Sequence, residues 1–123
     1  MHIIDTNILI YYSKDDSTVV DFILSRVPAR NNFIIPTIVI VEFLCFPSIG
    51  AVEQRKFEAI IRYCNILDLT HDIALYAADI RKIHHLSLAD SVIAATALLT
   101  ASPLVTRNVK DFQNVKNLEL IKL

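Results

Sequence analysis

Three acidic residues stand in apolar surroundings in this 123-residue chain. Asp5 ends the apolar start Met1-His2-Ile3-Ile4. Glu42 is the only charge between Phe33 and Phe46, and Asp90 opens the run Asp90-Ser91-Val92-Ile93-Ala94-Ala95. An ionised carboxylate in such a setting is costly unless it is paired or binds a metal. No cation lies close in the chain to any of the three. The chemistry to expect is that of a hard divalent ion, Mg²⁺ or Mn²⁺, held by oxygen ligands. Such an ion lowers the pKa of a water and stabilises charge on a phosphoryl oxygen, which is the chemistry of phosphodiester hydrolysis.

Each acid also has a local explanation. Asp5 could cap a helical turn after a first strand. Asp90 could be the fourth member of a capping box opened by Ser87. Asp111 could pair with Arg107, four residues earlier. Glu42 has no local cap or partner. Glu53, Glu58, Asp72 and Asp79 have ordinary helix-surface roles, in first turns or at contact spacing to a cation.

The elements that would position these acids are short apolar strands alternating with helices. Ile3-Ile4, Phe33-Ile34-Ile35, Ile66-Leu67 with Leu69, Pro103-Leu104-Val105 and Leu118 to Leu123 read as strands. Pro36 should stop the second of them. Helices are expected from Thr6 to Tyr12, from a Thr18-Val19-Val20-Asp21 capping box to before Pro28, and over Ala51–Tyr63. Two more should follow Thr70, with an apolar stripe of Ile73, Ala77, Ile80 and Ile83, and Ser87, running to about Leu99. Asn108 to Phe112 reads as a turn or a single helical turn. The run Ile38-Val39-Ile40-Val41 favours strand by propensity, but a Pro36-Thr37 entry makes it a buried helix carrying Glu42. The alternation implies a parallel sheet covered on both faces, with ligands at the carboxyl ends of its strands. Asp5 is at such an end.

Composition narrows the function further. A chain that is 54% hydrophobic and 20% charged folds, and its length suits one domain spanning residues 1–123. The net charge of -1 argues against a protein coated in cations for duplex DNA. One glycine, Gly50, is too few for a phosphate loop or a dinucleotide-binding turn. Cys45 and Cys64 form no zinc pattern and read as buried reduced thiols, consistent with the cytoplasm. His84-His85 reads as the end of a helix. No apolar run is long enough to span a membrane, and no leader peptide is expected.

Four segments taken together carry a resemblance. They are Asp5-Thr6-Asn7-Ile8-Leu9-Ile10, Glu42 after its apolar stretch, Asp90 to Ala97, and Val105-Thr106-Arg107-Asn108-Val109-Lys110-Asp111-Phe112. In that order the chain resembles a PIN domain, and more narrowly the VapC-type toxins of prokaryotic toxin–antitoxin pairs. The resemblance implies a three-layer α/β/α sandwich with a mainly parallel central sheet. It implies a Mg²⁺- or Mn²⁺-dependent endoribonuclease acting on RNA, a cognate antitoxin and a tendency to form homodimers. By position, Asp5, Glu42 and Asp90 match the metal-site acids and Asp111 a fourth. Thr6 and Asn108 match supporting polar residues. Arg107 and Lys110, next to the site, are candidate phosphate contacts or solvated charges.

Two other functions compete. A binding module could keep the fold without catalysis. A receiver-like phosphoacceptor domain would need adjacent acids near the first strand and an Asp after the third, where Asp68 reads as lying inside a strand.

Overall fold

The computed structural model describes residues 1–28 and 32–123. Five short strands, β1 (His2–Ile4), β2 (Phe33–Pro36), β3 (Asn65–Leu67), β4 (Leu104–Thr106) and β5 (Leu120–Lys122), form one sheet in the order β3-β2-β1-β4-β5. Every pairing is parallel, with Ile3 beside Ile34 on one side and beside Leu104 on the other. The central strands are apolar on both faces because helices cover both faces. Ile3, Ile4, Phe33, Ile35, Leu104 and Val105 are almost wholly enclosed.

Seven helices surround this sheet among the described residues: α1 (Thr6–Ser13), α2 (Ser17–Leu24), α3 (Thr37–Cys45), α4 (Ala51–Ile61), α5 (His71–His84), α6 (Leu88–Leu99) and α7 (Val109–Phe112). The result is the α/β/α sandwich expected from the alternation. Helix α1 packs with α2, α3 and α4 and reaches β4, while α6 lies on β1 and β2 with α5 packed along it. Helix α3 touches both α1 and α6, so it bridges the two groups. Its β-branched run is helical because Pro36 leaves its β conformation directly into Thr37 and the buried positions Val39 and Phe43 recur at helical spacing. Phe43 stacks on Phe57 of α4 with ring centroids 4.5 Å apart, which locks the turn of α3 next to Glu42.

Several local expectations are corrected. Helix α2 opens one residue earlier than Thr18, because the Asp16 carboxylate accepts from the Val19 backbone N–H and takes the capping role. It ends at Leu24, not just before Pro28. Pro36 is inside β2, at its last position beside Leu67, instead of beyond it. Ile83 leaves the apolar stripe of α5 and is 68% exposed. Cys45 is exposed and Cys64 half-buried, so neither is an enclosed core thiol, and both are free. Asp68 and Leu69 lie past the end of β3. Thr70 and Ser87 do cap α5 and α6, each accepting the backbone N–H three residues on.

Replacing Phe43 by Ala should cost about 3–5 kcal/mol, through lost burial and a cavity against Phe57. Equilibrium denaturation of the variant and the parent measures this. A cost under about 1 kcal/mol would mean that α3 is not anchored by this pair.

Candidate metal centre

The sheet order reverses between β1 and β4, where the chain leaves β1 for β2 on one side and returns to β4 on the other. Parallel sheets place ligand sites beside the carboxyl ends of the strands at this switch point. Asp5 is the first residue beyond β1 there, and only 3% exposed. It precedes α1 with an extended backbone, but its side chain makes no helix cap. The capping explanation for Asp5 therefore fails. Its Oδ2 instead accepts a hydrogen bond from Thr106 Oγ1, the last residue of β4, at 2.7 Å. The same Thr106 oxygen accepts from the Asn108 backbone N–H at 2.9 Å, which fixes the rotor toward Asp5.

Glu42 reaches the site from α3 and is half-buried. Thr6, at the start of α1, donates to Glu42 Oε1 at 2.6 Å. Asp90 comes from the first turn of α6 and is also half-buried. Its backbone N–H meets Ser87 Oγ, so one half of the capping box exists, while its carboxyl faces the other acids. Asp5, Thr6, Glu42 and Asp90 line one cleft of about 250 Å³, together with Asn7, Ile10, Cys45, Phe46 and Pro47. Asp111, on the short α7, is exposed at the rim and accepts from Asn108 Nδ2.

The electrostatics follow from this grouping. Burial pushes the Asp5 carboxyl from its usual 3.8 up to about 6; the Thr106 hydrogen bond opposes the rise, and the Asp90 and Glu42 carboxylates add to it. Asp90 is raised by burial as well, against its Ser87 hydrogen bond, with Glu42 and Asp111 pushing further. No cation is among the causes for either group. The donor set is all oxygen and over-supplied with negative charge, which suits a hard divalent ion. Repulsion acts over several ångströms, whereas coordination needs oxygens at about 2.1 Å from one point. No three His, Cys, Asp or Glu side chains among the described residues converge as a ready-made ion site. The acids are thus near enough to repel, and side-chain rotation would have to complete a coordination shell.

Arg107 sits elsewhere than either of its expected roles. Its guanidinium forks onto Asp16 at 2.8 and 2.9 Å, lies 4.3 Å from the Tyr11 ring centroid, and donates from Nε to the Leu123 carbonyl. It is neither a free phosphate contact nor the partner of Asp111. Lys110 is exposed on α7. Thr106 is the residue that sequence reasoning left out. The sequence shows only a polar residue ending an apolar run; the register Ile4 beside Val105 is what sets Thr106 against Asp5.

The raised pKa has a consequence for stability. The folded value of Asp5 lies above the unfolded one, so the folded state binds the proton more tightly between the two. The stability is fully present below about 3.8 and is lost as pH rises through about 6. At neutral pH this amounts to roughly 2–3 kcal/mol. Asp5→Asn keeps an oxygen to accept from Thr106 and removes the charge. It should therefore be more stable than the parent at about pH 8 without divalent metal, with Tm higher by several degrees, and lose that advantage by about pH 4. Thermal melts of both proteins across pH test this; a pH-independent difference would show that Asp5 is not held charged against its neighbours.

Comparison with known proteins places this arrangement. The chain is similar to VapBC2 from Rickettsia felis bound to a promoter DNA fragment, with a TM-score of 0.83 at 21% identity, over 99% of this chain and 98% of that one. It is similar to a toxin–antitoxin complex from Klebsiella pneumoniae, with a TM-score of 0.81 at 28% identity over 98% and 96%. VapBC-1 from nontypeable Haemophilus influenzae gives 0.71 at 27% over the same shares. A search of curated proteins finds no match. Residues 2–118 match the PIN domain family, and with nearly the whole chain covered, the protein belongs to it.

Proposed function

We propose that this chain is a metal-dependent endoribonuclease, a single PIN domain over residues 1–123, and the toxin of a toxin–antitoxin pair. The observation that carries the reading is the buried Asp5 carboxyl, sharing a cleft with Glu42 and Asp90 and lacking any cation. Asp5, Glu42 and Asp90 would hold Mg²⁺ or Mn²⁺, with Asp111 assisting or holding a second ion. When bound, the ion supplies a Lewis acid that activates water and stabilises charge on the phosphodiester. The chain's own part is orientation. Thr106 holds Asp5, Thr6 holds Glu42, and Asn108 both pins the Thr106 hydroxyl and steadies Asp111. Exposed Lys110 remains a candidate phosphate contact at the rim.

The partner follows from the relatives above 25% identity, which are a toxin–antitoxin complex and a VapBC pair. By that likeness the partner would be a cognate antitoxin; an antitoxin covering this site and a homodimer are what membership of the family suggests. Val41, Leu44 and Phe46 on and beyond α3 are exposed apolar side chains that a protein partner could cover. No helix among the described residues is long and apolar enough to cross a membrane. A cytoplasmic site of action fits an RNA substrate.

A binding module without turnover is the second reading, and the incomplete convergence of the acids favours it. The receiver-like alternative loses its footing in topology. Asp68 follows β3, but β3 is an edge strand separated from β1 by β2, so this exposed Asp stands two strands away from Asp5.

The test is cleavage of total cellular RNA by the purified chain with Mg²⁺ or Mn²⁺, beside an EDTA control and Asp90→Asn. Discrete fragments are expected that need the metal and fall by at least about 100-fold in the variant. A folded, metal-binding protein that leaves RNA intact would transfer the assignment to the binding module.

A further inference from the structure

We propose that the tip of the α5–α6 hairpin is a phosphate-binding subsite that holds the backbone of a single-stranded RNA beside the acidic cleft. This rests on the ribonuclease reading above. A cleft of about 510 Å³ at the tip is lined by Ala78, Arg81, Lys82, His85 and Leu86, and no acid lines it. Arg81 Nε donates to the Leu86 carbonyl at 3.3 Å. That bond holds the guanidinium at the tip and leaves its two terminal nitrogens without a protein partner among the described residues. Lys82 and His85 are exposed and likewise make no ion pair among the described residues. The neighbouring acid on the same helix is Asp79, which neither lines the cleft nor bridges to Lys82.

Freedom from an ion pair is shared with Arg26, Arg55, Arg62, Lys110, Lys116 and Lys122 among the described residues, so the acid-free lining is what marks this place. Lys14, Lys56 and Arg107 are each neutralised by an acid, Glu53, Asp15 and Asp16 respectively. Arg81 and Lys82 keep their charge uncompensated in a concave place. His85 caps α5 with a left-handed backbone, φ 55°. Glycine adopts that conformation without strain, and a side chain kept there costs backbone energy. The imidazole is nonetheless retained at the wall of the cleft.

Position selects the ligand. Four residues, Leu86 to Ala89, lie between His85 and Asp90, and Leu86 of the cation-lined cleft adjoins Ser87, whose Oγ accepts from the Asp90 backbone N–H. The acids repel a polyphosphate chain, and a metal ion would offset this at one phosphate only. Flanking phosphates need their own partners; the Arg81 guanidinium and the Lys82 ammonium supply charge, and the His85 ring supplies a hydrogen-bond donor. With an overall charge of -1, attraction for RNA has to come from local patches of cations or from a bound metal.

The experiment uses the full chain and a fluorescent single-stranded RNA oligomer in EDTA, where no cleavage occurs. Dissociation constants are measured across a salt series for the parent, Lys82→Gln, His85→Asn and the double variant Arg81→Gln/Lys82→Gln. Lys116→Gln, before β5 at the opposite edge of the sheet, is the charge-matched control. Each lost phosphate contact should weaken binding several-fold and reduce the slope of log affinity against log salt by about 0.7. In Mg²⁺ the same variants should raise KM and leave kcat unchanged. Lys82 and His85 make no side-chain bond among the described residues, so their variants decide the matter even if loss of Arg81 unsettles the hairpin. Slopes and affinities equal to the parent's, or an equal change in Lys116→Gln, would overturn the subsite. Failure of the parent to cleave in Mg²⁺, with the slopes still reduced, would overturn the nuclease reading and leave the subsite standing.

Discussion

A carboxyl group enclosed at the switch point of a parallel sheet, with other carboxyls as its charged neighbours, governs the rest of this structure. Asp5 is buried because β1 is the central strand and its end is walled by α1 and β4. It is held in place by hydrogen bonding and made uncomfortable by its surroundings, which is why its pKa rises toward 6. Buried carboxylates are otherwise matched with a cation or lost. Keeping one in this state has a stability cost, of the kind proteins bear at functional sites.

How the cost is tolerated shows in the choice of partners. Three of the four acids of the site are steadied by a neutral donor: Thr106 for Asp5, Thr6 for Glu42, Asn108 for Asp111. Each ion pair among the described residues uses an acid outside the cleft, at Glu53, Asp15 and Asp16. Hydroxyl and amide donors fix geometry without cancelling charge. A lysine in place of Thr106 would satisfy Asp5 electrostatically and remove the reason for a metal to bind. The partition of neutral partners inside and cations outside keeps the negative potential of the cleft intact.

Much of this was legible in the sequence, for physical reasons that differ between elements. The strands β1, β2 and β4 are short continuous apolar runs, as strands covered on both faces are. Thr70 and Ser87 were readable as caps because a side-chain oxygen three residues before a free backbone N–H is local chemistry. Asp5, Glu42 and Asp90 could be picked out because charge inside an apolar segment needs a cause. What failed depended on contacts distant in sequence. Asp16 outcompeted Thr18 as the α2 cap, and it is also the residue that captures Arg107 from 91 positions away. Cys45 proved exposed because an apolar neighbourhood in sequence does not say which face of α3 is covered. Thr106 was invisible as a site residue until the β1–β4 register set it beside Asp5.

The Arg107 clamp shows how far those distant contacts reach. Its neighbour in the chain, Thr106, touches Asp5, so a free guanidinium at position 107 would stand within a side chain's reach of the acids. Asp16 holds both arms of the fork, Tyr11 covers its face and the Leu123 carbonyl takes Nε. These three contacts come from the α1–α2 connection, α1 and the end of the chain. They tie β4 and β5 to the N-terminal helices along the rim of the cleft, and they commit the cation that lies nearest in sequence to Thr106. The same ion pair therefore braces the strand end that orients Asp5 and prevents its own charge from compensating that carboxyl. A rigid scaffold and an uncompensated acidic cleft are in this fold two consequences of one contact.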